Sequence, residues 1–302
     1  VNYEIILVRY GEIALKGKQS RKIFENYLVQ NIRNAFEKKS IHAKITKEWG
    51  RIFIFTKDID KSVNVLKKIF GITSISPAIL TEGNLESISK LAVEIAGKIL
   101  SKKKSFAVRA RRTGMHDFTS QDIAIKIGSE ILKATDSNVD LNNPDFELFI
   151  EVRGNNAYLF IEKIIGVGGL PLGSQGRICS IIDSNESILA SWYLMKRGCN
   201  IFFVKTKPKL SSLNKFIEDW FAKPNVLVLN QKDDYYEKIN NIAFEKNCIA
   251  VSVGLSLFDQ SSKVAKDIKL LKKKIQYPIL HPLITMKKEE IFEKSSEIGL
   301  IK

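Results

Sequence analysis

The sequence predicts a multidomain chain of mixed class, in which two α+β blocks precede an α/β block. Three observations carry this. Residues 3 to 80 show strand and helix signals in the order strand, helix, strand, strand, helix, strand. Residues 164 to 176, IIGVGGLPLGSQG, contain five glycines and one proline, too many for the interior of a helix or strand. Beyond them, short apolar runs such as IFFV and VLVL alternate with helical stretches and lack polar interruption, as buried parallel strands do.

In the first block, Tyr3 to Arg9 reads as a strand and Arg21 to Lys39 as a long amphipathic helix. His42 to Lys47 and Arg51 to Thr56 form a hairpin closed around Gly50. Asp60 is expected to cap a helix reaching Phe70, and Thr73 to Leu80 is the last strand. This is a split βαβ arrangement of the ferredoxin-like kind, which hosts many functions and names none.

The second block opens with a helix from Leu85 to Leu100, a strand from Ser105 to Arg112 and a helix from Thr119 to Lys133 capped by Thr119 or Ser120. A hairpin follows, Glu147 to Arg153 with Ala157 to Glu162, across Gly154, Asn155 and Asn156. The strand SFAVRARR alternates: Phe106, Val108 and Ala110 face a core, while Arg109 and Arg111 project from the other side and Arg112 ends the run. With Lys102, Lys103 and Lys104 before them, these arginines make a stripe able to grip phosphates. A solvated sheet face paired with acidic side chains is the competing reading. Phe118 can stack a base or pack in the core, and His116 is a loop residue with no assigned chemistry.

In the third block, strands are expected near 178–182, 200–205, 225–229 and 248–253, and helices near 187–197, 210–222, 233–246 and 258–274. The domain boundaries that follow are 1–80, 81–165, a linker at 166–176, and 177–302. Gly176 to Gly198, GRICSIIDSNESILASWYLMKRG, has the form of a nucleotide-binding strand, turn and helix. Its turn, Asp183 to Ser187, lacks the glycines that let a backbone wrap a phosphate.

The chain has 302 residues, 44% of them hydrophobic, and 48 Lys+Arg against 33 Asp+Glu give a formal charge of +15. That charge favours a polyanionic partner, nucleic acid first, through phosphate neutralisation. Cys179, Cys199 and Cys248 are far apart and form no CxxC pair, which argues against a zinc site or disulfide framework and for a reducing, cytoplasmic setting. No apolar run approaches the ~18 residues of a membrane span, and Val1 opens directly into a strand, so neither a membrane nor a signal peptide is expected.

Several segments resemble the tRNA 4-thiouridine synthetases, the tRNA sulfurtransferases also linked to thiamine thiazole sulfur transfer. VRYGEIALKGKQSRKIFE (residues 8 to 25) is similar to that family's opening motif. Phe106 to Leu132, Val139 to Val152 and the junction Ala157 to Arg177 resemble its THUMP domain and linker. The resemblance implies a ferredoxin-like N-terminal domain, a THUMP domain that with it holds the acceptor region of tRNA, and a PP-loop ATP-pyrophosphatase domain using ATP and Mg²⁺. On that reading Arg109, Arg111, Arg112, Lys126 and Arg177, with Lys102 to Lys104, are the expected phosphate contacts.

The ATP loop of the family reads SGGxDS. Counting back from Lys196, Arg197 and Gly198 aligns Ile182 to Ser187 with it, so that Asp183 and Ser184 replace both glycines, Glu186 replaces the aspartate, and Ser187 remains. A second register, Cys179 to Ser184, keeps Asp183 and Ser184 as its DS pair. Across both, Ser180, Ile181, Asp183, Ser184, Glu186 and Ser187 are the ATP-site candidates, joined by Lys205, Gly254 and Lys263, the last standing where the family places a glutamine. In longer relatives a catalytic cysteine motif follows the segment that ends here at Lys302. Two functions are therefore expected: a tRNA-binding protein with a degraded ATP loop, or an active ATP-dependent tRNA sulfurtransferase served by a sulfur-donor protein. No catalytic residue and no metal ligand is assigned.

Overall fold

The alternation read from the sequence produces two sheets. The computed structural model describes residues 2–15, 17–100, 104–207, 210–229, 234–257 and 262–301, the side chains at 262 and 263 excepted. Contacts divide the chain into two units, residues 1–9, 36–67 and 74–165, and residues 10–35, 68–73 and 166–302.

The first unit is built on a nine-stranded sheet with the order β2-β3-β1-β4-β8-β7-β5-β6, and β9 paired to β4. Its strands are β1 (Ile5–Tyr10), β2 (Lys44–Glu48), β3 (Arg51–Phe55), β4 (Ile72–Glu82), β5 (Ser105–Thr113), β6 (Asn138–Val139), β7 (Phe146–Arg153), β8 (Asn156–Phe160) and β9 (Ile164–Ile165). The pairing of β4 with β8, Ile79 opposite Leu159, carries one sheet through both sequence blocks. Helices α3 (Leu85–Ile99) and α4 (Ser120–Ala134) place Ile88, Ile95, Ile123 and Ile127 against Phe106, Leu148 and Ile150. Thr119 caps α4 in a capping box with Asp122, which settles the choice between Thr119 and Ser120.

The expected cap at Asp60 is corrected. Helix α2 spans Ile59–Leu66 with Asp58 at its N-cap position and no side-chain cap bond, and it stops short of Phe70. Gly71 at φ +101° turns the chain, and Phe70 stacks on Trp220 at 5.5 Å between centroids. The pull on Phe70 is tertiary, so helical periodicity overestimated the helix.

In the second unit, α1 (Lys18–Lys38) contributes residues up to 35, and Asn31 Nδ2 donates to the Leu172 carbonyl at 3.1 Å. The five-stranded sheet here has the order β12-β11-β10-β13-β14, and every pairing is parallel. Its strands are β10 (Arg177–Ile182), β11 (Asn200–Lys205), β12 (Val226–Val228), β13 (Ala250–Ser252) and β14 (Ile279–Leu280). Helices α5 (Asn185–Lys196), α6 (Ser212–Asp219), α7 (Tyr235–Glu245), α8 (Ser262–Lys274) and α9 (Lys288–Glu297) accompany them. Among the described residues, one core surrounds Trp192, Phe203 and Trp220 and another surrounds Cys179, Val204 and Val251. The glycine-rich junction is folded against this unit, with Leu170 N–H on the Lys196 carbonyl and Gly173 N–H on the Gly198 carbonyl. Gly169 is required there, because a Cβ would stand 2.1 Å from the Lys196 oxygen. The two-residue strands β6, β9 and β14 carried too little pattern to be read from sequence.

Candidate functional site

One face of the first unit's sheet gathers cations around a single buried carboxylate. On β7, alternation puts Glu147, Phe149, Glu151 and Arg153 on one side, and β5 sets Arg109 beside Phe149 and Arg111 beside Glu151. Glu151, 4% exposed, is held by Arg51 Nε at 2.8 Å, Arg51 Nη2 at 3.1 Å and Arg153 Nε at 2.6 Å, with Arg9 Nη2 at 3.7 Å. Burial alone would raise the Glu151 pKa, but the Arg51 charge and the arginine hydrogen bonds outweigh it and hold the carboxyl below its usual range. Arg9 is pushed down to about 10, by burial first and by neighbouring arginines, against the pull of Glu151.

Phe149 and Phe160 stack at 5.2 Å beside this cluster, with Lys163 Nζ 3.7 Å from the Phe149 centroid and Arg9 4.8 Å from that of Phe160. Burial, followed by the nearby Arg9 and Arg111, lowers the Lys163 pKa. Together they line a groove of about 790 Å³ in which five basic side chains face three acidic ones. Cations outnumbering carboxylates suit a ligand carrying phosphates.

The arginine stripe is present and partly internally paired. Arg109 Nε binds Glu147 at 2.8 Å and Nη2 donates to the Leu141 carbonyl at 2.7 Å, whereas Arg111 is exposed and Arg112 donates to the Gly114 carbonyl at 2.8 Å. Lys104 is exposed, and Lys126 lies on α4 at 3.4 Å from Glu130. Lys102 and Lys103 lie outside the described residues. Arg177 belongs to the second unit, where Nη1 donates to the Lys246 carbonyl at 2.7 Å. Phe118 packs against the first unit's core and meets His116 at 5.3 Å, and His116 Nε2 bonds the Gly154 carbonyl. Arg9, Arg51, Arg153, Glu151 and Lys163 were not singled out from sequence; the alternation in FELFIEVR was the available signal.

The second unit has a crevice of about 800 Å³ at the carboxyl ends of β10 and β13, where open parallel sheets bind ligands. Ile181, Asp183, Ser184, Glu186 and Gly254 line it, together with Tyr235, Tyr236, Asp267, Lys288 and Phe292 that sequence reasoning missed. Its turn is closed on itself. The N–H groups of Asp183 and Ser184 both donate to Ser187 Oγ at 3.1 Å, and Ser187 Oγ donates to the Ser184 carbonyl at 2.7 Å. Ser184 is the N-cap of α5 and Ser187 its N3 residue, while Cys179 to Ile182 are buried residues of β10, of which Ile181 reaches the crevice. The turn and the start of the helix fall on 183–187.

Gly254 abuts the first turn of α5: a Cβ there would stand 2.4 Å from the Ser187 nitrogen. Ser180 is buried and shares a 2.7 Å hydrogen bond with Ser191, and Lys205 is buried at the end of β11 opposite Ile182. Ser180, Ser187 and Lys205 are not among the crevice-lining residues, and the Lys263 side chain lies outside the described residues. Cys179, Cys199 and Cys248 are free and buried, and burial raises all three thiols, Cys179 to about 12. Among the described residues no helix is long and apolar enough to cross a membrane, and no group of three or more metal-binding side chains occurs.

Family models match three segments: a ThiI ferredoxin-like domain at residues 5–76, a THUMP domain at 82–162, and a thiamine biosynthesis protein (ThiI) model at 221–302. A probable tRNA sulfurtransferase of Methanobrevibacter smithii is 33% identical over 337 residues, covering 99% of this chain and 87% of the relative. One of Methanothermobacter thermautotrophicus is 34% identical, covering 99% and 85%. Among solved structures, a Pyrococcus horikoshii protein superposes with TM-score 0.85 at 32% identity, over 98% of this chain and 99% of that one. A 4-thiouridine synthetase–RNA complex with bound ATP gives 0.80 at 27%, over 99% and 85%.

Proposed function

The chain belongs to the tRNA sulfurtransferase family, and from that premise we propose that it binds tRNA through the basic face of its first unit while its crevice no longer serves ATP-dependent thiolation. The groove of arginines, lysine and stacked phenylalanines carries the first half of this reading. RNA ends are recognised largely through shape and phosphates, and the cations of such a face offer phosphate contacts. The THUMP match and the RNA-bound neighbour support tRNA as the RNA. Three free buried thiols suit a reducing, cytoplasmic setting.

The donor set of the crevice does not fit a triphosphate. The two turn N–H groups that would face phosphate oxygens are taken by Ser187 Oγ, and Asp183 and Glu186 add carboxylates to the lining. Two unit charges of the same sign at 4 Å repel by about 4 kcal/mol at an intermediate dielectric. Mg²⁺ held between a carboxylate and phosphate oxygens would relieve part of that repulsion. No reaction step is therefore derived through ATP. The buried thiols also offer no ready carrier for sulfur. Kinship with an ATP-bound structure favours the rival reading, an active sulfurtransferase working with a sulfur-donor protein.

Calorimetry separates the two. Salt-dependent tRNA binding with no heat from millimolar ATP and Mg²⁺ is expected. ATP binding competed by its nonhydrolysable analogue would restore the enzyme.

A further inference from the structure

Three tryptophans are present. Trp192 and Trp220 are 1% and 8% exposed in the core of the second unit, whereas Trp49 is 71% exposed at the tip of the β2–β3 hairpin. Tryptophan is enriched where a surface meets a partner, because its ring can bury a large apolar area while its N–H edge stays polar.

The tip is held in place. Glu48 pairs with Arg51 across the turn and Gly50 takes φ +75°. Arg153 Nη1 donates to the Trp49 carbonyl at 3.0 Å, while its Nε holds Glu151, the carboxylate that Arg51 also clamps. The backbone of Trp49 is thereby anchored to the arginine cluster beside the basic groove.

We infer that Trp49 is a stacking platform for an unpaired base of the bound RNA, a role that rests on the tRNA reading above. An indole face accepts any base without reading its hydrogen-bonding edge, and neighbouring cations neutralise the flanking phosphates. Charge complementarity selects this occupant. Trp49 sits among Lys47, Glu48, Arg51 and Arg153, and the exposed Lys44 lies on the same hairpin. A protein-docking tryptophan would instead be expected at the centre of an apolar patch depleted in charge.

The experiment titrates the full chain with an unmodified tRNA transcript and with a blunt RNA duplex, reading tryptophan emission and acrylamide quenching. The two buried tryptophans are a steady background. Transcript binding is expected to quench the emission and shield it from acrylamide, and the blunt duplex is expected to do neither. Trp49→Ala should abolish the change and weaken transcript binding about tenfold, within the range for losing one base–aromatic stack. Its salt slope should match wild type, since stacking releases no counterions. Trp49→Phe should keep most of the affinity. Transcript binding with unchanged emission, wild-type affinity in Trp49→Ala, or equal quenching by the duplex overturns the stacking role and leaves the tRNA reading standing. Failure of the wild-type chain to bind the transcript overturns both.

Discussion

Arg51 meets Glu151 through two nitrogens, Nε 2.8 Å from Oε1 and Nη2 3.1 Å from Oε2, with the carboxylate side chain only 5% exposed. Arg51 comes from β3 and Glu151 from β7, so this ion pair joins strands from both sequence blocks of the first unit. The Glu151 carboxyl is held below the usual glutamate range, burial being outweighed by the Arg51 charge and the arginine hydrogen bonds. A depressed folded pKa contributes stability that is present above the unfolded value and lost as the pH falls through the folded one. Wild type should therefore lose stability as the pH drops below about 4.5, and Glu151→Gln should flatten that acid limb. At neutral pH the same change should cost about 3 kcal/mol, because it leaves buried arginines uncompensated. Urea unfolding at several pH values checks both; parallel acid limbs would remove Glu151 from the account.

Arg109 and Arg111 share one face of β5. Replacing both with alanine should weaken tRNA binding and reduce the slope of log affinity against log salt by about 1 to 2, one phosphate contact being worth about one unit. The smaller value is expected if the Glu147 pairing of Arg109 persists in the complex. Filter binding from low to moderate salt measures the slope, and an unchanged slope would place the phosphates elsewhere.

Gly254 approaches the backbone of Ser187 and Glu186, not a side chain that can swing aside. Gly254→Ala should therefore destabilise the second unit by about 1 to 3 kcal/mol, the usual cost of overpacking. A denaturant midpoint equal to wild type would show that the loop after β13 yields freely.

The three cysteines are buried with thiols raised above their usual range, chiefly by desolvation. At pH 8 a disulfide reagent should modify none of them within minutes in the native chain and all three after denaturation. One promptly reactive thiol would revive the possibility of sulfur transfer on this chain.

Much of this was legible locally. The hairpin around Gly50, a helix cap at Thr119 or Ser120 and the stripe of SFAVRARR follow from turn chemistry, capping and period-two alternation, which act over a few residues. The end of α2 was not legible, since Phe70 leaves the helix to stack on Trp220, 150 residues later in the chain. Nor was the crevice lining contributed by Tyr235, Asp267 and Lys288, which three different helices bring to one place.

The sequence by itself determined the strand and helix order, the basic charge, the family resemblance and the glycine-free turn before α5. Only the tertiary structure decided that Glu151 would be the centre of an arginine cluster, that Ser187 would take up the turn's N–H groups, and that Trp49 would be exposed while Trp192 and Trp220 were buried. Propensity, capping and alternation act between near neighbours. Burial, ion pairing and close backbone approach depend on which distant strands become adjacent, and that is settled by packing the whole chain.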